Sequence, residues 1–305
     1  MRLGLDELRK IRLLTIIALF SDDDLMENLV LKGGNALEIG YGLNSRASID
    51  IDVSMINEFE IIGLYNTDAI IKKLDYVLNK AFEPEGYKIF DVNVKLKPKK
   101  HREEVGDFWG GYEANFKIIE SDLFQIHKGN EVALSAKALA TNQNKKNVKI
   151  DFGRFEYCGS TINKELDGFD IQIYTPELIL YEKLRALCQQ MPSYLISIKK
   201  DAKFGRPRPR DFYDIHTILT SNQIPNLDFK SAESLEHFEK CFEAKKVPLY
   251  LIGEIKNTRE FHKQDEAKLR DSILNKEGFK GFDFYFEFVL KALGEEISLP
   301  QKLTN

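Results

Sequence analysis

The chain has 305 residues, 43% hydrophobic and 30% charged, with a formal net charge of -4. That composition supports a sizeable core and excludes both wholesale disorder and a generically basic nucleic-acid coat. The length gives a prior of two domains, and three widely spaced cysteines (Cys158, Cys188 and Cys241) fit neither a disulfide framework nor a metal-ligand spacing.

The first 20 residues predict a helix, with Leu8, Ile11, Leu14, Thr15 and Ala18 three or four apart. Its apolar run, residues 11–20, holds Arg12 and stops at Ser21-Asp22. The run is too short to span a bilayer and lacks a signal-peptide cleavage site. The expected location is therefore the cytoplasm. Residues 28–32 form a short apolar stretch before Gly33-Gly34, and 36–41 read as helical. Residues 47–55 alternate, Ile49, Ile51 and Val53 against Ser48, Asp50, Asp52 and Ser54, which predicts a strand. Helical spacing over 67–82 is followed by strand patterns at 88–96, 111–119 and 148–155, while 133–142 is ambiguous. Thr175-Pro176-Glu177 reads as a helix start, leading to about residue 190. Further helices are predicted at 211–219, 231–242, 261–274 and 282–293. The expectation is a mixed α+β N-terminal domain over 1–172 and a helical domain over 173–305.

Asp50 and Asp52 sit at i and i+2 on a predicted strand, so both project from one face. Two adjacent carboxylates repel unless a cation lies between them, and hard oxygen ligands suit Mg²⁺. Any half-buried strand with a solvated face shows the same alternation. Lys32-Gly33-Gly34-Asn35 precedes a helix, where paired glycines admit a close ligand and a helix N-terminus favours anions. Most Gly-Gly pairs, however, are plain turns.

Apolar strand, Gly-Gly, helix and an Asp-x-Asp strand together resemble the polymerase β-type nucleotidyltransferase superfamily. Asp151, in the predicted strand Val148-Lys149-Ile150-Asp151-Phe152, matches its third carboxylate. Fifteen positions, 35–49, separate Gly34 from Asp50. That spacing resembles the AbiEii/MenT branch, the nucleotidyltransferases of type IV toxin–antitoxin and abortive-infection systems. Tyr181-Glu182-Lys183-Leu184-Arg185 is similar to that branch's lysine helix, and Arg210-Asp211-Phe212-Tyr213-Asp214 to its RDxYD motif. Asn35 stands where Thr is common in the branch. Residues 55–147 and the tail after 220 match no motif.

The resemblance implies transfer of an NMP from an NTP to an acceptor hydroxyl, with two Mg²⁺ ions on Asp50, Asp52 and Asp151. It implies that Lys32, Gly33, Gly34 and Ser48 contact phosphates and that Lys183 neutralises leaving-group charge. Asp211 would orient Lys183, with Asp214 a weaker candidate. Ser48 would also be a modification target. The favoured acceptor is the 3′ end of tRNA, and a cognate antitoxin protein is an expected partner. A small-molecule or protein nucleotidyltransferase, or a non-catalytic nucleotide-binding growth inhibitor, shares these features.

Taken alone, Lys183 is also what a snorkelling lysine would look like, and Asp211 what a helix-end aspartate would. Two runs, 95–102 and 199–210, are basic and contain Pro, so both read as loops. The second would place Arg206, Arg208 and Arg210 beside the RDFYD motif as RNA-phosphate contacts, with Phe204 as a stacking surface. His216 reads as a packing residue. Trp109 reads as core or partner-binding surface.

Overall fold

Among the described residues all seven strands end by Tyr174, and helices follow, while six earlier α-helices stand before or between the strands. The computed structural model describes residues 4–43, 50–98, 105–140, 146–200, 203–224, 227–295 and 297. Ser48 lies outside the described residues, as do 99–102 and 201–202 of the two basic runs. No helix among the described residues is long and apolar enough to cross a membrane.

The chain opens with α1 (Leu5–Phe20) and α2 (Asp23–Asn28), then β1 (Leu29–Leu31), α3 (Gly33–Tyr41), β2 (Ile51–Met55) and α4 (Thr67–Phe82). Next come β3 (Tyr87–Lys97), β4 (Gly111–Glu120), α5 (Ser121–Ile126), α6 (Glu131–Lys137) and β5 (Asn147–Gly153). A hairpin of β6 (Thr161–Leu166) and β7 (Phe169–Tyr174) completes the sheet. The helices α7 (Pro176–Cys188), α8 (Pro192–Ser197), α9 (Pro209–Thr220) and α10 (Ala232–Glu243) follow. The last three are α11 (Arg259–Lys263), α12 (Glu266–Ser272) and α13 (Phe282–Glu295).

The seven strands form one mixed sheet in the order β3-β4-β5-β2-β1-β7-β6. Strands β2 and β5 run parallel, as do β1 and β7, while the other neighbours are antiparallel. Ile51 and Val53 of β2 and Val148, Ile150 and Phe152 of β5 are buried, so one sheet face is core. The alternating residues Asp52, Lys149 and Asp151 occupy the other face. Helices α1 and α4 pack together, with α4 lying against β3 and α1 reaching β2 and β7. Helix α7 joins β7 to α9 and α10. The hydrophobic core is continuous from Ile11 to Ile297.

Several elements depart from the sequence reading, which also did not predict α2, α5 or α8. Residues 95–97 are the end of β3, not loop, because Leu96 pairs with Tyr112 and Lys97 with Gly111. Ladder hydrogen bonds there outweigh the charge run. The helix predicted over 261–274 is two helices separated by a turn in which Asp265 N–H donates to the His262 carbonyl at 3.4 Å. No Gly or Pro marks that break. The β6–β7 hairpin was not anticipated. Its two-residue turn, Asp167-Gly168, has φ +49° and +82°, which is the signature of a tight twisted hairpin.

Gly111 opens β4 opposite Gly153. A Cβ at Gly111 would sit 2.0 Å from the Phe152 carbonyl oxygen, and backbone cannot step aside. Gly111→Ala is expected to lower unfolding free energy by about 2 kcal/mol in urea titration.

Candidate active site

The parallel pairing of β2 and β5 sets Asp52 directly beside Asp151. Asp50 precedes β2 and is largely exposed. Lys149, two residues before Asp151, places its Nζ 3.2 Å from Asp50 Oδ2 and 2.8 Å from Asp151 Oδ2. Lys97 also pairs with Asp151 and lies 2.9 Å from Glu113 Oε2. Desolvation raises the Asp52 pKa, and the charges of Asp151 and Asp50 add to the effect against Lys32 and Lys149. Among the described residues, no group of three His, Cys, Asp or Glu side chains stands close enough together to hold a metal ion by itself. The acidic face is instead interleaved with lysine ammonium groups.

The glycine pair approaches this face from β1. Gly33 has φ +63°, a left-handed conformation that glycine adopts without a Cβ clash. A Cβ there would come within 3.6 Å of Asp52 Oδ2, so the backbone passes close to the carboxylate. Buried Asn35 donates from Nδ2 to the Asp50 carbonyl at 2.9 Å, fastening the first turn of α3 to the approach of β2.

The opposite wall is helical. Thr175 caps α7 by accepting from Leu178 N–H at 3.2 Å, with Pro176 at the first position. Lys183 on α7 is buried and ion-paired to Asp211, at 3.4 Å, and to Asp214, both on α9. The two aspartates are i and i+3 on one helix face. Asp211 also binds the Arg208 guanidinium. Lys183 is therefore held in place by both RDFYD carboxylates, which makes Asp214 as close a partner as Asp211. Lys183→Met removes both pairs and is expected to cost about 3 kcal/mol of stability by thermal or urea unfolding.

Between the walls lies a cavity of about 540 Å³. Lys32, Gly33, Gly34, Asp50 and Asp52 line it from the sheet side, and Lys183, Arg208, Arg210 and Asp211 from the helical side. Asp151 lines a smaller cavity next to it, of about 230 Å³, which also touches Lys32, Asp52 and Arg185. Arg206 is exposed, and its N–H donates to Gln190 at 2.9 Å. Phe204 stacks on Phe261 at 4.5 Å. His216 packs against Phe284, Tyr285 and Phe288.

The motifs do not reveal a buried ion cluster that joins the walls. Lys32 lies 3.5 Å from Glu156 and 3.2 Å from Glu182. Arg185 lies 2.8 Å from Glu156 and 3.0 Å from Glu182, and Lys245 lies 3.2 Å from Glu156. Burial disfavours the charged Glu156, yet Arg185, Lys32 and Lys245 override it and hold its pKa well below the usual range. Burial likewise pushes Lys32 down, but Glu156 and Glu182 more than offset it and its pKa is raised. For Lys245 burial prevails, and its pKa is pushed down to about 8. The one sequence signal was Glu182 and Arg185 at i, i+3 on the largely apolar helix α7.

A family profile described as "Nucleotidyl transferase AbiEii toxin, Type IV TA system" matches residues 16–291. The chain belongs to this family. An AbiEii protein is a nucleotidyltransferase, and the type IV class implies an NTP substrate and a cognate antitoxin. Among solved structures, it is similar to an antigenic nucleotidyltransferase-like protein from Paracoccidioides brasiliensis, at 15% identity and TM-score 0.35. That match covers 88% of this chain and 96% of the other. It is also similar to MenT4, a nucleotidyltransferase toxin from Mycobacterium tuberculosis H37Rv, at 12% identity and TM-score 0.31, covering 87% of this chain and 92% of that one. Comparison with curated proteins gives no match. All three cysteines of this AbiEii chain are free thiols.

Proposed function

We propose that this AbiEii protein transfers a nucleoside monophosphate from an NTP to the 3′-hydroxyl of tRNA in the cytoplasm. The acceptor oxygen attacks the α-phosphorus, the bond to the bridging oxygen breaks, and pyrophosphate leaves. The hydroxyl proton passes to Asp151. The observation that carries this reading is the facing of Gly33, Gly34, Asp50 and Asp52 by Lys183 and Arg208 across one cavity.

The donor set fits Mg²⁺. The ion commonly takes one or two carboxylates and completes its shell with substrate phosphates and water. Asp52 and Asp151, adjacent in the β2–β5 register, supply oxygen atoms only, with Asp50 nearby, so NTP phosphates and water would have to complete the shell of an ion there. Two ions held there, with NTP phosphates as further ligands, would activate the acceptor and stabilise the leaving pyrophosphate. The protein's own part is positioning and electrostatics. Backbone at Gly33 and Gly34 lets the triphosphate approach Asp52 closely. Lys183, preset by Asp211 and Asp214, supplies a fixed positive point charge to the phosphates. Arg208 and Arg210 lie on the helical wall, with Arg206 exposed nearby, a placement suited to RNA phosphates. In this reading the sheet domain carries the carboxylates, and the helical domain closes the cleft.

The test is incubation with each labelled NTP, Mg²⁺ and total tRNA. Label is expected at tRNA 3′ ends. Label on small molecules alone would replace the RNA acceptor, and no transfer to any acceptor would overturn the reading. Co-expression of the product of the neighbouring gene is expected to relieve growth inhibition if that gene encodes the antitoxin.

A further inference from the structure

The smaller cavity adjoins the NTP cleft and shares Lys32, Asp52 and Arg185 with it, and glycines line part of it. Gly111 and Gly153 face each other across β4 and β5, and Gly110 precedes them. Three glycines, two of them consecutive and the third opposite on β5, thus meet at this sheet corner near Asp151. A Cβ on Gly153 would come within 3.3 Å of Lys32 Nζ and of Glu156 Oε1, so a side chain there would crowd the hollow. Trp109 forms a wall of it. This is the single tryptophan of the chain. A turn fixes it, with Trp109 N–H donating to the Val105 carbonyl at 2.8 Å. Lys200 Nζ lies 4.0 Å from the ring centroid.

We propose that this hollow is the acceptor subsite, taking the terminal nucleoside of a single RNA strand with its base stacked on Trp109 and its hydroxyl turned to Asp151. This rests on the nucleotidyl-transfer reading and adds where the acceptor sits. Its size, about 230 Å³, is below the usual range of pockets for larger ligands, so it suits one nucleoside and not a duplex end. An aromatic side chain with lysines in the same lining, here Lys97 and Lys245, is the standard chemistry for holding an unpaired base. The NTP cleft does not include Trp109, so the two substrates report separately.

That separation makes the test direct. Trp109 fluorescence of the intact wild-type protein is titrated with a short single-stranded RNA bearing a free 3′-hydroxyl, and separately with a non-hydrolysable NTP and Mg²⁺. Saturable quenching by the RNA, and none by the NTP, is expected. Quenching by NTP alone, or by neither, overturns the assignment. In steady-state transfer, Trp109→Ala is expected to raise KM for the RNA about tenfold with KM for NTP unchanged, and Trp109→Phe to restore most of it. An unchanged KM for RNA in a folded Trp109→Ala protein also overturns it. If the wild type transfers nucleotide to no acceptor, the activity reading fails instead, a result distinct from either outcome.

Discussion

Asp52→Asn is expected to reduce nucleotidyl transfer by about 10³-fold or more, while leaving the protein at least as stable as the wild type in the absence of divalent cations. The change keeps the shape of the side chain and removes its charge. Asp52 sits beside Asp151 in the β2–β5 register and lines both cavities. Any cation that engages the triphosphate and the acceptor together must be balanced there. Losing one preorganised electrostatic group in such a site commonly costs two to three powers of ten, and a shared ligand costs more. The stability half follows from sign. Desolvation and the neighbouring carboxylates raise the Asp52 pKa, so the fold disfavours its charged form at neutral pH. Removing that charge removes a penalty. Labelled-NTP transfer and thermal unfolding in EDTA check the two halves. A variant that is inactive and also several degrees less stable would contradict the electrostatic account.

Glu156→Gln is expected to destabilise the protein by about 3–5 kcal/mol at pH 7, measured by urea unfolding. Glu156 is the shared anion of Lys32, Arg185 and Lys245, and its side chain is only 9% exposed. Without it, Lys32 and Arg185 retain Glu182, while Lys245 loses its carboxylate at 3.2 Å and keeps the Arg154 carbonyl. The pH dependence has a definite sign. The folded pKa of Glu156 lies below its unfolded value, so its contribution is fully present above about pH 4.5 and lost as pH falls below that. The difference between wild type and variant should therefore shrink in acid. Lys245 acts in the opposite direction. Its folded pKa of about 8 lies below the unfolded value of about 10.4, so the cost of burying its charge is present below pH 8 and relieved as pH rises through that interval. A Glu156→Gln effect below about 1 kcal/mol at pH 7 would show that the cluster does not bind the two walls together.

The local parts of this site were legible in the sequence. Period-two alternation placed Asp52 on the strand, whereas Asp50, expected beside it, stands just before β2; Gly-Gly before a helix marked the close approach at Gly33. Asp151 could be named because the resemblance calls for a third carboxylate on a later strand. What could not be read is non-local. Glu156 and Lys32 meet only because β1 and β5 flank β2, and Lys245 arrives from beyond α10. No periodicity records such a meeting. The hollow beside Asp151 is made by absent side chains at Gly111 and Gly153, whose opposition depends on strand register. The β6–β7 hairpin was a different kind of omission. Asp167-Gly168 was a readable turn, and the charged, weakly patterned strands around it hid the signal.

The position of the helical wall in the chain has a consequence for the toxin's own synthesis. Asp50, Asp52 and Asp151 leave the ribosome well before Lys183, and the cleft is lined as far along the chain as Asp265 and Lys268. A nascent chain that has made its whole sheet still has only one side of the substrate cleft. If the proposed function holds, a chain truncated after α8 would lack Arg208, Arg210 and Asp211 from the cavity lining.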